Sequence, residues 1–266
     1  RGSGGEFFVT PGRLSERRRR KEAASPALGE PQPAMPTILD RVNVGFARFY
    51  AKTAGQRQVD VAFVKATNHD DGPPKDKHVK TLLRAAAIET AQSQEYLVSL
   101  IEMNLLESTE CVVVAKTLVI LHKLLREGGR LFRETFYKGF THLFDHLGNF
   151  KDDTSRLTWQ LSTFIRAYCA FLHQRCLFFS SFPYETEPSR AQMLDAQALL
   201  CEMPVMQAAI DKGIQVGTSS ELVNTPRLSL GALQGYAQHL VLGDVLLLSL
   251  HMMKATPRIV EVFFEG

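Results

Sequence analysis

The sequence predicts an all-α protein, a stack of about nine to ten helices. Apolar residues recur at steps of three and four from Ile38 almost to the end, and no stretch alternates apolar and polar residues as an exposed strand would. Clusters of Gly, Pro and Asn divide the periodic stretches. With 266 residues, of which 45% are hydrophobic, the chain is long enough to bury a sizeable core.

The same periodicity places the individual helices. After an amphipathic stretch over 38–50, we expect helices over 57–68, 75–90, 93–107, 109–127, 130–148, 154–179, 189–213, 229–253 and 257–264. Residues 111–125 are apolar nearly all round, which predicts a helix at the centre of the stack, with Lys116 and His122 at the rim of the core. Trp159 and the aromatic-rich stretch that follows are interpreted as packing.

The net charge of +3 lies entirely in residues 1–34, which hold seven Lys or Arg, including the run Arg17–Lys21, against four Glu. This segment lacks apolar periodicity and is predicted to be a disordered basic head or a leader segment, with residues 35–266 as the folded domain. The run would suit nuclear import or anionic-lipid binding, although a solvated tail is the simpler interpretation. Because the remainder is neutral overall and shows no basic stripe, we expect no nucleic-acid partner.

Signatures of catalysis, of a cofactor and of a metal centre are absent from the sequence. It has no phosphate-binding glycine loop, nucleophile elbow or zinc-protease motif, so we expect neither an enzyme nor a cofactor. His142 and His146 share a helix face beside Asp145, but no further ligand is indicated, so no metal site is predicted. The four cysteines form no C-x-x-C pair and are expected to be reduced, and no apolar run reaches the length of a membrane span.

One short segment does indicate binding chemistry. Lys65 is predicted near the end of one helix, and Gly72-Pro73-Pro74 connects it to the next, whose first turn would hold Lys75, Lys77 and His78. The main-chain N–H groups of a first turn lack helical partners, and the helix dipole adds positive charge at the same place. Cationic side chains gathered at a helix N-terminus suit a polyphosphate ligand, although a solvated lysine-rich turn has the same composition.

The motifs in and beyond this segment resemble those of a known family, the ANTH domain of clathrin assembly proteins, with plant members most similar. The family motif K-x9-K-x-[KR]-[HY] is matched by Lys65, Lys75, Lys77 and His78. Residues 162–172 resemble the family helix S-T-F-I-R-x-Y-x-x-x-L, while 116–124 resemble its central helix and 203–207 a later helix start. Good similarity covers about 36–213, and looser similarity covers 229–266.

The resemblance implies a right-handed superhelical α-solenoid of the ENTH/VHS-like kind. It also implies an adaptor that binds phosphatidylinositol 4,5-bisphosphate through Lys65, Lys75, Lys77 and His78, recruits clathrin and retrieves R-SNAREs. The expected location is the cytoplasmic face of clathrin-coated pits and vesicles at the plasma membrane, with the Golgi as a further site. Two features differ from the family pattern. Asp70 and Asp71 place two negative charges in the binding loop, and 217–228 look like an insertion or an altered loop. The family's clathrin-binding motifs lie in a long tail that this chain does not include.

Two alternatives stay open at this point. A VHS-like helical scaffold would bind cargo or SNARE peptides without lipid. The amphipathic stretch over 38–50, with Phe46, Phe49 and Tyr50 on its apolar side, would be either a membrane wedge or a helix packed on its own domain.

Overall fold

The computed structural model describes residues 54–70, 72–182, 194–219 and 230–265, and within them it contains helices and no strand. The helices are α1 (Ala54–Ala66), α2 (Asp76–Ala86), α3 (Ala91–Glu107), α4 (Cys111–Glu127), α5 (Arg130–Tyr137), α6 (Phe140–Leu147), α7 (Arg156–Ser181), α8 (Ala196–Thr218) and α9 (Leu230–Glu265). The all-α prediction is therefore confirmed. The predicted head and the amphipathic stretch over 38–50 lie outside the described residues.

Two of the longer helices begin at side-chain caps. The Ser155 hydroxyl accepts a hydrogen bond from the Thr158 N–H at 3.1 Å, and the Thr158 hydroxyl oxygen accepts one from the Ser155 N–H at 3.0 Å, which forms a reciprocal capping box for α7. Asp195 caps α8 by accepting from the Ala198 N–H at 2.7 Å. The predicted start of this helix at 189 lies outside the described residues, and Pro204, near the predicted later start, lies inside α8.

Helix α4 occupies the centre of the molecule, as its apolar composition predicts. It packs against α2, α3, α5, α7 and α9, and Val114, Leu118, Leu121 and Leu125 on it are fully buried. Lys116 and His122 were predicted at the rim of the core, and that prediction is wrong: their exposed fractions are 1% and 0%. Both remain in the core because polar partners on other elements satisfy them, as described below.

A second apolar cluster ties the C-terminal helices together. Phe178 and Phe179 of α7 pack with Leu199 and Met206 of α8 and with Leu248 of α9. The helices α7, α8 and α9 thus pack together, and α8 lies against both of the others. The structure also places the four cysteines as free thiols, of which only Cys201 is exposed.

The stretch 130–148, predicted as one helix, forms two. Gly139 adopts φ −144° and ψ 12°, outside the helical region, and separates α5 from α6. Glycine has low helix propensity, which makes Gly139 a suitable place for the break. Phe136 and Phe140 stack on either side of it with their ring centroids 6.2 Å apart. Phe144 packs on His173 of α7, with ring centroids 5.4 Å apart.

The predicted helices 229–253 and 257–264 form the single helix α9, with Pro257 inside it. Proline removes one main-chain donor, and beside that gap the Thr256 hydroxyl donates to the Met252 carbonyl at 2.9 Å. Contrary to the expectation from the sequence, Gly231–Phe264 is long and apolar enough to span a membrane by length and composition alone. A core helix can meet the same criterion, and one face of α9 packs on α4 and α8.

Candidate functional site

The connection between α1 and α2 carries the four residues that the sequence singled out. Lys65 is exposed in the last turn of α1. The helix ends where both the N–H and the hydroxyl of Thr67 bond to the Phe63 carbonyl, at 2.9 and 3.0 Å. Ala66 and Thr67 are buried, so the lysine projects from a chain that is anchored on its other side.

Helix α2 begins one residue later than predicted, which changes the position of Lys75. Lys75 is the N-cap residue in extended conformation (φ −65°, ψ 125°), whereas Lys77 and His78 lie in the first turn. The Lys75 carbonyl accepts from the N–H groups of His78 and Val79, at 2.9 and 3.3 Å. The Lys75 side chain makes no capping hydrogen bond at this end of the helix. The first N–H groups of a helix have no partner inside it, which makes such an end suitable for an anion.

The electrostatics of His78 show that the four residues share one neighbourhood. Partial burial lowers the pKa of His78 most, and the positive charges of Lys77, Lys65 and Lys75 lower it further. Three lysines from a helix end, a helix cap and a first turn therefore act on one imidazole. The structure brings Lys65, Lys75, Lys77 and His78 together, and like charges held this close favour an anionic ligand that would relieve their repulsion.

Asp70 lies at the edge of this basic cluster. Its carboxylate accepts from the Asn68 amide at 2.6 Å and from the Lys75 ammonium at 3.4 Å, and these contacts lower the pKa of Asp70. Both members of the Lys75–Asp70 pair are about 60% exposed (62% and 61%). Exposed ion pairs of this kind contribute little free energy, so Lys75 can leave Asp70 to contact a ligand. Asp71 lies outside the described residues.

Sequence reasoning missed the residue that holds the loop in place. Lys116 extends from α4 under the loop and donates to the Asn68 main-chain carbonyl at 2.7 Å and to its side-chain oxygen at 2.8 Å. With 1% exposure it cannot reach a ligand on the outside. A lysine within an otherwise apolar helix was the available signal, because such a residue must find a polar partner in the core.

A second polar cluster is buried where α4, α7 and α9 meet. The His122 ring contacts the Tyr168 hydroxyl at 2.8 Å and the Asp244 carboxylate at 2.9 Å, and Arg175 donates to the same carboxylate. Burial alone would raise the pKa of Asp244, but the positive charge of Arg175 and the hydrogen bonds from His122 and Arg175 lower it. Burial lowers the pKa of His122, and the neutral ring satisfies both contacts when its Nε2 carries the proton.

This cluster is structural in character. His122, Arg175 and Asp244 are each at most 1% exposed, so no substrate reaches them. Only Arg126, at 3.2 Å from the Asp244 carboxylate, extends towards the surface, with a third of its side chain exposed (33%). Among the residues that the structure describes, no group of three His, Cys, Asp or Glu could hold a metal ion, and His142 and His146 acquire no third ligand.

Comparison with known proteins agrees with the motif pattern. A family model described as the ANTH domain matches residues 58–233. Two putative clathrin assembly proteins from Arabidopsis thaliana are similar to this chain: one is 34% identical over 188 residues, and the other is 32% identical over 186 residues. Each alignment covers 64% of this chain but only 32% and 31% of the relatives, so the chain spans about a third of their length.

Proposed function

The chain belongs to the ANTH domain family, and from this premise we propose that it is a phosphoinositide-binding adaptor of clathrin coats rather than an enzyme. The observation that carries the proposal is the cluster of Lys65, Lys75, Lys77 and His78 at the uncapped N-terminus of α2. The cluster combines exposed cations with free main-chain donors, which is the chemistry that a polyphosphate headgroup requires. The similar proteins are named as clathrin assembly proteins, which supports a role in coat assembly.

Phosphatidylinositol 4,5-bisphosphate is the proposed ligand. Its phosphates would approach the first turn of α2, with Lys77 and His78 beneath them and Lys65 and Lys75 at the sides. The Lys116–Asn68 contacts, at 2.7 and 2.8 Å, hold the chain at Asn68 on the inner side of the cluster. A pre-ordered site loses less conformational entropy on binding than a mobile one.

The strength expected of this site indicates how the protein works. A cation near an anionic membrane contributes about 1 kcal/mol, so four contacts give about 4 kcal/mol, which corresponds to a dissociation constant of about 1 mM. Hydrogen bonds to the headgroup add to this, but one site gives a reversible association. Stable residence on a membrane therefore requires a second contact, such as an assembling coat.

The remaining parts of the proposal concern partners and place. We assign the protein to the cytoplasmic face of coated pits and vesicles at the plasma membrane, with the Golgi as a second location and R-SNAREs as cargo. Clathrin would be bound through sequence beyond this chain. The division into a basic head (1–34) and a folded domain (35–266) belongs to the same proposal.

Liposome co-sedimentation across a phosphoinositide panel tests the lipid proposal. Vesicles of neutral lipid alone, with phosphatidylserine, and with each phosphoinositide are compared at matched total charge. We expect the bisphosphate lipid to retain the most protein, and retention to fall as salt increases, because the contacts are exposed and charge-driven. Equal sedimentation with phosphatidylserine at matched charge would contradict a headgroup site, and no sedimentation at all would favour the VHS-like scaffold.

A further inference from the structure

The loop before α2 places a negative charge at the edge of the proposed headgroup site. Asp70 is exposed, and its carboxylate lies 3.4 Å from the Lys75 ammonium. A carboxylate in this position repels a phosphate that approaches Lys75, and it can follow the lysine and compete for it. The contacts that hold Asp70 on its other side therefore decide how strongly this charge opposes a ligand.

Asn68 connects Asp70 to the core of the domain. Its side-chain oxygen accepts from the Lys116 ammonium at 2.8 Å, and its main-chain carbonyl accepts from the same ammonium at 2.7 Å. Its side-chain nitrogen donates to the Asp70 carboxylate at 2.6 Å. Because Lys116 is buried in α4, the Asn68 amide is attached on its inner side to a fixed point and holds Asp70 on its outer side.

The chemistry of Lys116 determines which way the Asn68 amide points. An ammonium group only donates hydrogen bonds, so the amide oxygen must face Lys116 and the amide nitrogen must face outwards. A carboxylate only accepts, so the outward nitrogen is the atom that attracts Asp70. A carboxylate at position 68 would repel Asp70, and a methyl group would not contact it. The position therefore favours an amide.

The restraint on Asp70 does not depend on Lys75 alone. The hydrogen bond from Asn68 lowers the pKa of Asp70 most, the hydrogen bond and charge of Lys75 lower it next, and the charge of Lys116 lowers it further. The exposed Lys75–Asp70 pair contributes little free energy, so Lys75 can exchange Asp70 for a phosphate. Asn68 and Lys116 still attract the carboxylate after that exchange.

We propose that Asn68 is a positioning residue of the headgroup site, which keeps the Asp70 carboxylate turned towards the buried Lys116 when Lys75 leaves it for a phosphate. The inference rests on the proposed lipid function and concerns the same site. Without the Asn68 amide, the carboxylate would follow the Lys75 ammonium and compete with the phosphate.

A double-mutant cycle tests this role. Asn68→Ala leaves the net charge unchanged and keeps the main-chain carbonyl that accepts from Lys116. We expect it to bind bisphosphate vesicles about three- to fivefold more weakly, which is the size of an exposed charge pair. The gain in affinity from Asp70→Asn should then be about three- to fivefold larger in Asn68→Ala than in the unaltered chain, because only there is the carboxylate unrestrained. The measurement is co-sedimentation over a series of lipid concentrations.

Two controls match these changes away from the site. Asn104→Ala removes another amide that contacts α4, where the Asn104 side-chain oxygen accepts from the Thr117 hydroxyl at 2.7 Å. It should leave vesicle binding unchanged. Asp153→Asn makes the same charge change at an exposed carboxylate, which pairs with Lys151 at 2.7 Å. Its effect on binding should be the same with and without Asn68→Ala.

The outcomes separate this inference from the lipid function. If the unaltered protein does not prefer bisphosphate vesicles to phosphatidylserine vesicles of matched charge, the headgroup site is wrong and the role of Asn68 is wrong with it. If that preference exists and Lys75→Met weakens binding, but folded Asn68→Ala binds normally, only the role of Asn68 is wrong. An equal gain from Asp70→Asn in both chains would show that Asn68 supports the loop without restraining Asp70. Asn68→Ser carries the same test if Asn68→Ala does not fold.

Discussion

The proposed headgroup site (Lys65, Lys75, Lys77 and His78) and the buried cluster around Asp244 both combine a histidine with basic side chains, but for opposite purposes. In the headgroup site, Lys65, Lys75 and Lys77 are exposed and lower the pKa of the neighbouring His78. In the buried cluster, His122 and Asp244 are paired with each other and with Tyr168 and Arg175 across three helices, and they are closed to solvent. Charges that repel one another at the surface are available for a ligand, whereas charges that are paired in the core hold helices together.

This comparison predicts that substitutions in the two regions affect different properties. Changes in the buried cluster should reduce stability, because removing one partner leaves another polar group unpaired in the interior. Changes in the headgroup site should reduce lipid binding and leave stability nearly unaltered. The predictions that follow test this separation, beginning with the largest effect.

Asp244→Ala should be strongly destabilising, by about 3–5 kcal/mol, because Arg175 and His122 would lose the carboxylate that pairs with them in the core. The measurement is urea unfolding followed by circular dichroism. Asp211→Ala, at an exposed position on α8, is the control and should change stability by less than about 0.5 kcal/mol. Similar effects of the two substitutions would show that the buried cluster does not stabilise the fold.

Lys116→Met should combine a moderate effect on stability with an effect on lipid binding. It leaves the Asn68 oxygens without the ammonium, which should cost about 1–3 kcal/mol, and it releases the loop that presents Lys75. We expect weaker retention on bisphosphate vesicles although Lys116 is only 1% exposed. Thermal melting and co-sedimentation are compared with those of Lys80→Met, whose side chain is exposed on α2. If Lys116→Met is destabilised but still binds bisphosphate vesicles like the unaltered protein, the site does not depend on the Lys116–Asn68 contacts.

His78 should make lipid binding depend on pH, with an effect of at most about 1.4 kcal/mol for each unit by which binding shifts its pKa. In the free protein, partial burial and the nearby lysines lower the pKa of His78 below 6.5, and a bound phosphate should raise it. Binding then takes up a proton. Affinity should therefore increase as pH falls from about 7.5 towards 6, and level off only below the pKa of the free protein.

Replacement of His78 by Gln should flatten this pH dependence in a vesicle titration from pH 7.5 to 5.5. His69→Gln is the matched control, because His69 is exposed, pairs with Glu110 at 2.7 Å and is not one of the four proposed contacts. Retention of the full slope in His78→Gln would mean that a different group titrates on binding.

Deletion of residues 1–34 should have the smallest effect. The segment lacks the apolar periodicity of a core element, and the four proposed contacts lie outside it. We expect the same melting temperature and the same preference among phosphoinositides. A large loss of that preference would identify Arg17–Lys21 as the lipid contact.

The sequence predicts most of this fold because apolar residues recur at helical spacing in the described helices. It fails at two punctuating residues: Gly139 divides one predicted helix, and α9 continues through Pro257. The four basic residues of the proposed site are indicated by the family motif, whose members lie close together along the chain, and their role stays a prediction. Lys116 could not be assigned its role, because its partner Asn68 is 48 residues away and only the folded chain brings them together.

The polar residues of the core show the same limit. Asp244 contacts His122 and Arg175 across long separations, so neither pattern nor propensity indicates which charges are paired. Burial can be predicted from periodicity, but the identity of a buried polar partner cannot.

Charge reversal at all three lysines of the headgroup site tests the central claim most directly. Lys65, Lys75 and Lys77 are exposed, so changing each to Glu should alter stability by about 0.5 kcal/mol or less per site. Each reversal removes an attraction and adds a repulsion of similar size, so the triple variant should lose about 6 kcal/mol of membrane binding. The matched control reverses three other exposed lysines, Lys138, Lys151 and Lys254, and makes the same change in net charge.

The decisive measurement is co-sedimentation of these two variants with bisphosphate vesicles, with circular dichroism and a melting curve for each. The proposed site predicts that both remain folded, that the control retains most of its binding and that the Lys65, Lys75 and Lys77 variant stays in the supernatant. A folded variant at these three positions that sediments like the unaltered protein would contradict the headgroup site and favour a scaffold that binds proteins alone.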